Sequence, residues 1–304
     1  MFMISNPKIL HILLFLSLHF LTAQETSSIF ILPQQLQWAN PALLHTTKNK
    51  QLSFLSESQW LGIPKAPRQQ SLLFVSKNKN QKVTFGVVLR NRSEFAENQS
   101  QMIFQFAFPL QLDETTFLHL GIQGGGKLYD LNFETAQSVD GVIIDPVLKN
   151  DTQWIPNAGI GIHFSRKNTF FSMSFPRLLE KLLTRNTTTL ILPENLFYTI
   201  ALGRTYYNLF DVKKFEWEVL FHNLAFGKDT IQIKGNYSLP FTTLFLGFNN
   251  LKYSNLGFQL ISKGAFQLSY AFEFPLARTL LQPRNNHAIL IHLNLLPKTK
   301  LNGS

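Results

Sequence analysis

Apolar and polar letters alternate along much of this chain. Met102, Phe104, Phe106, Phe108, Leu110 and Leu112 share one parity, while Gln101, Gln105, Gln111 and the small Ala107 share the other. Successive side chains of a strand point to opposite faces, so this period sorts apolar from polar on a strand, where a helix would scatter them. The sorting recurs downstream. Phe215, Trp217, Val219 and Phe221 oppose Lys214, Glu216, Glu218 and His222, and Phe266, Leu268, Tyr270, Phe272 and Phe274 oppose Ala265, Gln267, Ser269, Ala271 and Glu273. Roughly fourteen such runs fall near 52–60, 69–77, 82–92, 99–110, 115–127, 155–166, 169–176, 195–206, 213–222, 229–239, 241–249, 254–262, 264–274 and 287–295.

An even number of runs, each of about 9 to 11 residues, suits tilted strands crossing a hydrocarbon layer and exceeds the usual ~5–6 of soluble sheets. Connections such as Lys77-Asn78-Lys79-Asn80 and Asn249-Asn250 are short and alternate with longer ones, the asymmetry of a barrel with turns at one rim and loops at the other. Lipid offers no hydrogen-bond partners, so a sheet in it must close. The pattern therefore predicts an all-β protein, a transmembrane antiparallel β-barrel of about fourteen strands in an outer membrane. A soluble exported sandwich is the competing reading, since alternation alone does not say which face meets water.

The start of the chain fits export. Lys8 precedes the apolar run Ile9 to Leu21, which ends at Thr22-Ala23-Gln24, the order of a cleavable secretory signal. The run is too short for a membrane helix, which needs about 20 residues. The expected division is a signal peptide over 1–23, an extended lead-in over 24–50, the barrel over 51–296 and a basic tail over 297–304. Two segments resist the ladder. Leu128 to Gln153 carries Asp130, Glu134, Asp140, Asp145 and Asp151 and reads as a solvated acidic loop, with calcium binding the sharper alternative. Pro176 to Pro193 contains Leu178-Leu179-Glu180-Lys181-Leu182-Leu183, a helical spacing within a long loop.

Composition narrows the chemistry. Of 304 residues, 45% are hydrophobic, 15% are charged and 29 are Phe, too apolar for a disordered chain. With no cysteine, neither a disulfide framework nor a thiolate nucleophile is possible. The formal charge is +10, which suits phosphate-bearing or acidic partners. Its carriers, such as Lys77, Lys79 and Lys82 or Lys213 and Lys214, sit at the ends of apolar runs and read as solvated strand ends. Nucleic acid is not an expected partner. The histidines show no metal-ligand spacing, and Gly121, Gly124, Gly125 and Gly126 open no helix as a phosphate loop would. They read as a bulge or bend in a strand. We expect no catalytic residue, cofactor or metal, and no enzymatic activity.

Between signal and ladder, Asn40-Pro41-Ala42 forms a turn, because proline fixes its own φ and restricts the residue before it. Gln59-Trp60-Leu61-Gly62-Ile63-Pro64 with Pro67 closes the first run. Further on stand Asp145-Pro146, Pro156-Asn157-Ala158-Gly159-Ile160-Gly161, and the strand Phe171-Ser172-Met173-Ser174-Phe175-Pro176. In order and spacing these pieces make the chain resemble the PorP/SprF family of outer-membrane proteins associated with type IX secretion in the Bacteroidota. The resemblance implies a single-domain outer-membrane barrel that helps to export secreted proteins, such as gliding adhesins, or to hold them at the cell surface. Its implied partners are outer-membrane lipid, type IX secretion components, and a secreted surface protein bearing a type IX C-terminal signal. The family-motif residues Asn40, Pro41, Ala42, Gln59, Trp60, Gly62, Pro64, Pro67, Asp145, Pro146, Pro156, Gly159 and Gly161 are then structural or partner-contact positions. A passive or selective channel for small solutes is the alternative function.

Trp60 falls where an amphipathic ring would meet a membrane interface. Trp60→Ala is therefore expected to lower barrel assembly or stability more than any partner contact, read as altered heat-modifiable migration. Normal migration together with lost partner binding would contradict this.

Overall fold

The structure is a computed structural model. It describes residues 32, 35–47, 50–77, 82–132, 150–179, 197–208, 212–223, 229–250, 252–262, 266–276 and 285–295. The expected signal and basic tail, Glu134, Asp140, Asp145 and Pro146, and the helical spacing from Glu180 onward lie outside these residues.

Fourteen antiparallel strands close into one barrel. They are β1 (Lys50–Gln59), β2 (Arg68–Lys77), β3 (Thr84–Glu94), β4 (Glu97–Gln111), β5 (Thr116–Leu131), β6 (Asp151–Arg166), β7 (Thr169–Arg177), β8 (Phe197–Tyr207), β9 (Lys213–Asn223), β10 (Thr230–Ser238), β11 (Thr242–Asn249), β12 (Tyr253–Ser262), β13 (Phe266–Pro275) and β14 (Asn286–Leu295). Each strand pairs with its sequence neighbours, and β1 pairs with β14 from Lys50↔Leu295 to Gln59↔Asn286. That last pairing removes the two sheet edges, whose open N–H and C=O groups hydrocarbon could not satisfy.

Parity decides which face meets lipid. On β4, Met102, Phe104, Phe106, Phe108 and Leu110 are exposed, while Ile103, Gln105 and Ala107 between them are buried. At a rise of ~3.4 Å per residue and a tilt of ~40°, Met102 to Leu110 covers roughly 21 Å of depth, near the ~25 Å apolar band of such barrels. Beyond Met102, Ser100 and Asn98 continue the outer face in polar residues. Trp154, 65% exposed, stands on β6 at the same level, opposite Leu128, where an aromatic ring is favoured. Among the described residues no helix is long and apolar enough to cross a membrane.

With an even strand count, both ends of the barrel lie at one rim. The connections there are 78–83, 112–115, 167–168, 208–212, 239–241 and 263–265. The opposite rim carries the longer ones, 60–67, 132–150, 178–196 and 276–285, beside the connection 224–229 and tight turns at 95–96 and 250–252. Phe95 and Lys167 open two-residue turns with φ of 51° each, the left-handed start that such hairpins require, and Asn250 opens a three-residue turn with φ of 47°.

Three local readings change. Asp130 and Asp151 belong to strands β5 and β6 rather than to a loop, because these strands run further than the apolar pattern does. Strand β1 stops at Gln59, and Trp60 is in a turn with φ of 51°. Within the stretch read as an extended lead-in, Gln35–Trp38 and Pro41–Thr46 wind into two 3-10 turns inside the barrel. The apolar inner face of β1 to β4 pulls them in.

Phe106→Arg, on the lipid face, is expected to destabilise the barrel by about 2–4 kcal/mol. Gln267→Arg, on the inner face of β13 and away from the basic cavity, is expected to cost far less. Urea midpoints of folding in lipid vesicles compare the two directly.

Candidate functional site: the plugged lumen

The inner faces of β1 to β4 break the polar-inside expectation. Leu55, Leu73, Val75, Val88 and Ile103 point inward, so part of the lumen wall is apolar. The segment ahead of β1 covers it. Leu32, Trp38 and Leu44 join that wall in one buried cluster, and Leu36 with Leu43 packs on Ala201, Leu220 and Phe170 across the lumen. Burial of each such Leu stabilises by ~1.5–3 kcal/mol, so the plug is held by the same effect that holds a soluble core.

Asn40, Pro41 and Ala42 sit at the centre of this plug. The Asn40 side chain caps the second turn by accepting a hydrogen bond from the Ala42 N–H at 3.0 Å, and Pro41 takes the first position, where its missing N–H is no loss. The Asn40 amide then donates to the backbone oxygens of Ile162 (3.2 Å) and Met173 (3.4 Å), bridging β6 and β7. Ser174 Oγ donates to the Ala39 oxygen at 3.0 Å. Gln51 donates to Gln37 Oε1 at 2.8 Å, and His45 Nδ1 lies 2.9 Å from Thr84 Oγ1.

Glycine makes room for this seat. Gly121 and Gly161 face each other across β5 and β6. A Cβ at Gly121 would stand 2.2 Å from the Ala42 nitrogen, and one at Gly161 would stand 2.1 Å from Asn40 Oδ1. Neither distance is compatible with a side chain. The glycines taken from sequence as marks of a bend include, in Gly121, the floor on which the Asn-Pro-Ala turn rests.

The remaining motif residues fall in two places. Asn157, between Pro156 and Gly159, donates to the Pro176 oxygen at 2.8 Å, and so does Gln123 from β5 at 2.8 Å. A Cβ at Gly159 would come within 2.8 Å of that same oxygen. The end of β7 is thereby drawn inward, with a register shift between Ser174 and Arg177. Pro156 faces outward opposite Gly126, in the part of β6 that precedes its pairing with β7 at Ile160. Gln59, Trp60, Gly62, Pro64 and Pro67 form the β1–β2 connection at the long-loop rim. There Gln59 N–H donates to Pro67 O and Trp60 N–H to Asn285 O, both at 2.9 Å, and Gly62 holds φ of 94°. Asp145 and Pro146 lie outside the described residues. The sequence pieces thus gather into a plug seat and a rim turn.

Between plug and long-loop rim the lumen opens into a cavity of about 130 Å³. Arg90, Arg92, Lys127 and Arg177 line it, with Glu57 as the one carboxylate in its wall. Both Glu57 oxygens accept amide hydrogen bonds, from Gln35 of the plug at 2.9 Å and from Gln69 at 2.6 Å. Arg92 pairs with Glu94 at 2.7 Å, and the Arg177 guanidinium covers the Phe197 ring at 3.5 Å. Residue-type patterns do not reveal this cavity, because its cations come from three strands and each looks like an ordinary strand end. Elsewhere in the lumen, Lys234 and Glu218 pair at 3.0 Å, and Glu273 accepts from Asn286 at 2.6 Å. Among the described residues no group of His, Asp and Glu is arranged to hold a metal ion.

Comparison with solved structures finds outer-membrane barrels. The toluene transporter TbuX of Ralstonia pickettii aligns at TM-score 0.52 and 9% identity, covering 88% of this chain and 95% of its own. The deltaS2S3 mutant of the monoaromatic hydrocarbon channel TodX aligns at TM-score 0.51 and 10% identity, covering 86% of this chain and 94% of its own. At such identities the likeness concerns the fold alone. A search of curated proteins finds no match. The family model for the type IX secretion system membrane protein PorP/SprF matches residues 36–293, from the plug to the last strand. The chain is accordingly a member of the PorP/SprF family of type IX secretion membrane proteins, built as an outer-membrane β-barrel.

Proposed function

We propose that this protein is a non-enzymatic barrel of the type IX secretion system that helps to export secreted proteins, gliding adhesins among them, or holds them at the cell surface. The observation that carries the reading is the filled lumen of a secretion-family barrel. A plug anchored to β6 and β7 by Asn40, and packed on both sides of the wall, suits a rigid scaffold better than a diffusive pore. The short-turn rim, where both ends of the barrel lie, faces the periplasm in this reading, and the longer connections face outward. Signal cleavage after Ala23 would leave Gln24 as the first residue of the lead-in to the plug. The partners are secretion components and a secreted protein with a type IX C-terminal signal.

A channel for small solutes is the second reading. Its support is the polar part of the lumen wall, where Gln232, Asn255 and Ser269 point inward. The plug opposes it.

Deletion of the gene is expected to strip at least one type IX cargo protein from the cell surface, scored by surface proteomics, with that cargo co-purifying with the barrel in detergent. Retention of every cargo protein on the surface of the deletion strain would remove the ground for the proposal. A second prediction concerns the plug. Gly121→Val places a branched side chain against the Ala42 backbone and is expected to expel the plug while the barrel keeps its heat-modifiable migration. Planar-bilayer recordings would then show conductance rising from near zero to that of an open pore. Unchanged conductance with normal migration would contradict the plug's role as the seal.

A further inference from the structure

The outer face of the wall changes character at one place on the short-turn rim. On β6 the outward side chains run from Trp154 to Phe164, a span of roughly 26 Å in depth at a rise of ~3.4 Å per residue and a tilt of ~40°. Arg166, the next outward residue, therefore stands just past the apolar band. Thr169 of β7 faces Arg166 in register, and Arg204 of β8 faces Thr169. One level deeper, Phe164, Phe171 and Leu202 form a second row across the same three strands. Lys167 adds a further cation from the turn between β6 and β7, and the two rows line a groove of about 520 Å³ on the outer face.

Arg166, Lys167 and Arg204 are exposed, and among the described residues none of them forms an ion pair. Asp113 and Glu114 stand on the neighbouring β4–β5 turn, whose Thr115 oxygen accepts from the Lys167 N–H at 3.0 Å. Asp113 Oδ1 is engaged within that turn by the Thr115 N–H at 2.7 Å. By contrast, Lys213 on β9 already pairs with Glu216 at 2.9 Å. The Arg204 guanidinium lies 5.2 Å from the Tyr206 ring, a contact that orients it along the wall. Near the same rim the exposed outward residues of β4, β10 and β14 include Leu110, Tyr237 and Leu295, so the three cations mark one sector of it.

Cations at the edge of the bilayer and bare apolar side chains beneath them match one class of molecule, an anionic headgroup carried on hydrocarbon chains. Guanidinium forks and an ammonium favour phosphate oxygens, and the row Phe164, Phe171 and Leu202 gives the chains a surface. An acidic peptide would satisfy the cations and leave that row unused. We propose that this groove binds one anionic phospholipid, its phosphate held by Arg166, Lys167 and Arg204 and its chains lying along Phe164, Phe171 and Leu202. The Thr169 hydroxyl, between the two arginines, donates to the same phosphate. The lipid lies against the outer side of β6 and β7, the strands whose Ile162 and Met173 oxygens hold Asn40 inside. Its place in the periplasmic leaflet rests on the orientation proposed above, whereas the chemistry of the groove does not.

The test uses the full-length barrel in neutral detergent and native mass spectrometry, with dioleoyl phosphatidylglycerol as the probe and dioleoyl phosphatidylcholine as the zwitterionic control. One phosphatidylglycerol per barrel is expected to be retained, with a preference over phosphatidylcholine of about fivefold or more. Arg166→Gln with Arg204→Gln is expected to weaken retention by about twentyfold, since each cation near an anionic headgroup contributes about fivefold. Arg68→Gln, on the outer side of β2 at the opposite rim, should leave it unchanged. Equal retention of the two lipids, or full retention in a natively migrating double variant, would overturn the proposal. The comparison of lipids in the unaltered barrel keeps the test decisive if the double variant does not fold. Displacement of phosphatidylglycerol by equimolar inorganic phosphate would also overturn it, in favour of a free-phosphate site, and displacement by equimolar tetraglutamate in favour of an acidic protein partner. Lys167→Cys supplies the only thiol in the chain and reads the leaflet, with labelling by a membrane-impermeant maleimide expected only after the outer membrane is permeabilised. Labelling in intact cells would overturn the periplasmic placement and the orientation with it, while retention in detergent would keep the groove as a lipid site.

Discussion

Everything in this molecule depends on the pairing of its first strand with its last. Along Lys50↔Leu295 to Gln59↔Asn286 the sheet acquires partners for the backbone groups of both terminal strands, and only then is its outer surface tolerable to hydrocarbon. Closure also fixes parity for the whole wall. Once β1 is in register, each neighbour inherits which residues face lipid and which face the lumen, since a slip of one residue would exchange the two sets. The phenylalanines of β4 and the glutamines between them are the visible result.

Closure creates an interior, and this interior is not uniform. One side, over β1 to β4, is apolar enough to require cover, and the chain provides it from the residues just ahead of β1. The opposite side keeps buried polar pairs such as Lys234 with Glu218. The plug meets the wall through backbone-directed bonds from Asn40 and through contact with bare glycine, two devices that depend on close approach. What stays open is the part of the lumen where the plug stops, and there cations from separate strands converge.

Strand existence and facing were legible in the sequence because each rests on a local rule, the period of two. The motif pieces were also visible, but their meaning was not. Asn40-Pro41-Ala42 reads locally as a turn, and its partners Gly121 and Gly161 lie far along the chain. One signal could have exposed the plug: Leu72-Leu73-Phe74-Val75 and Val87-Val88-Leu89 are apolar on both parities, the mark of strands covered on both faces. The apolar pattern ended β5 and left β6 short, because their outermost turns stand clear of lipid and carry Asp130, Thr152 and Asp151 instead. The basic cavity was invisible for a plainer reason. Arg90, Lys127 and Arg177 belong to three strands, and strand proximity in a closed sheet is a property of the circle rather than of any segment.

The docking of Asn40 has a consequence for the order of assembly. Its amide reaches residues 122 and 133 positions away in sequence, and the surface it meets does not exist until β5, β6 and β7 lie side by side. The plug precedes every strand in the chain, and although it also packs on β1 to β4, its Asn40 anchor has nothing to bind before those strands are paired. Long separations of this kind carry a closure entropy that must be met before the contacts repay it. The segment ahead of the first strand therefore completes its docking only after strands in the middle of the chain have paired. The seal of the lumen is thus tied to the completion of the wall around it.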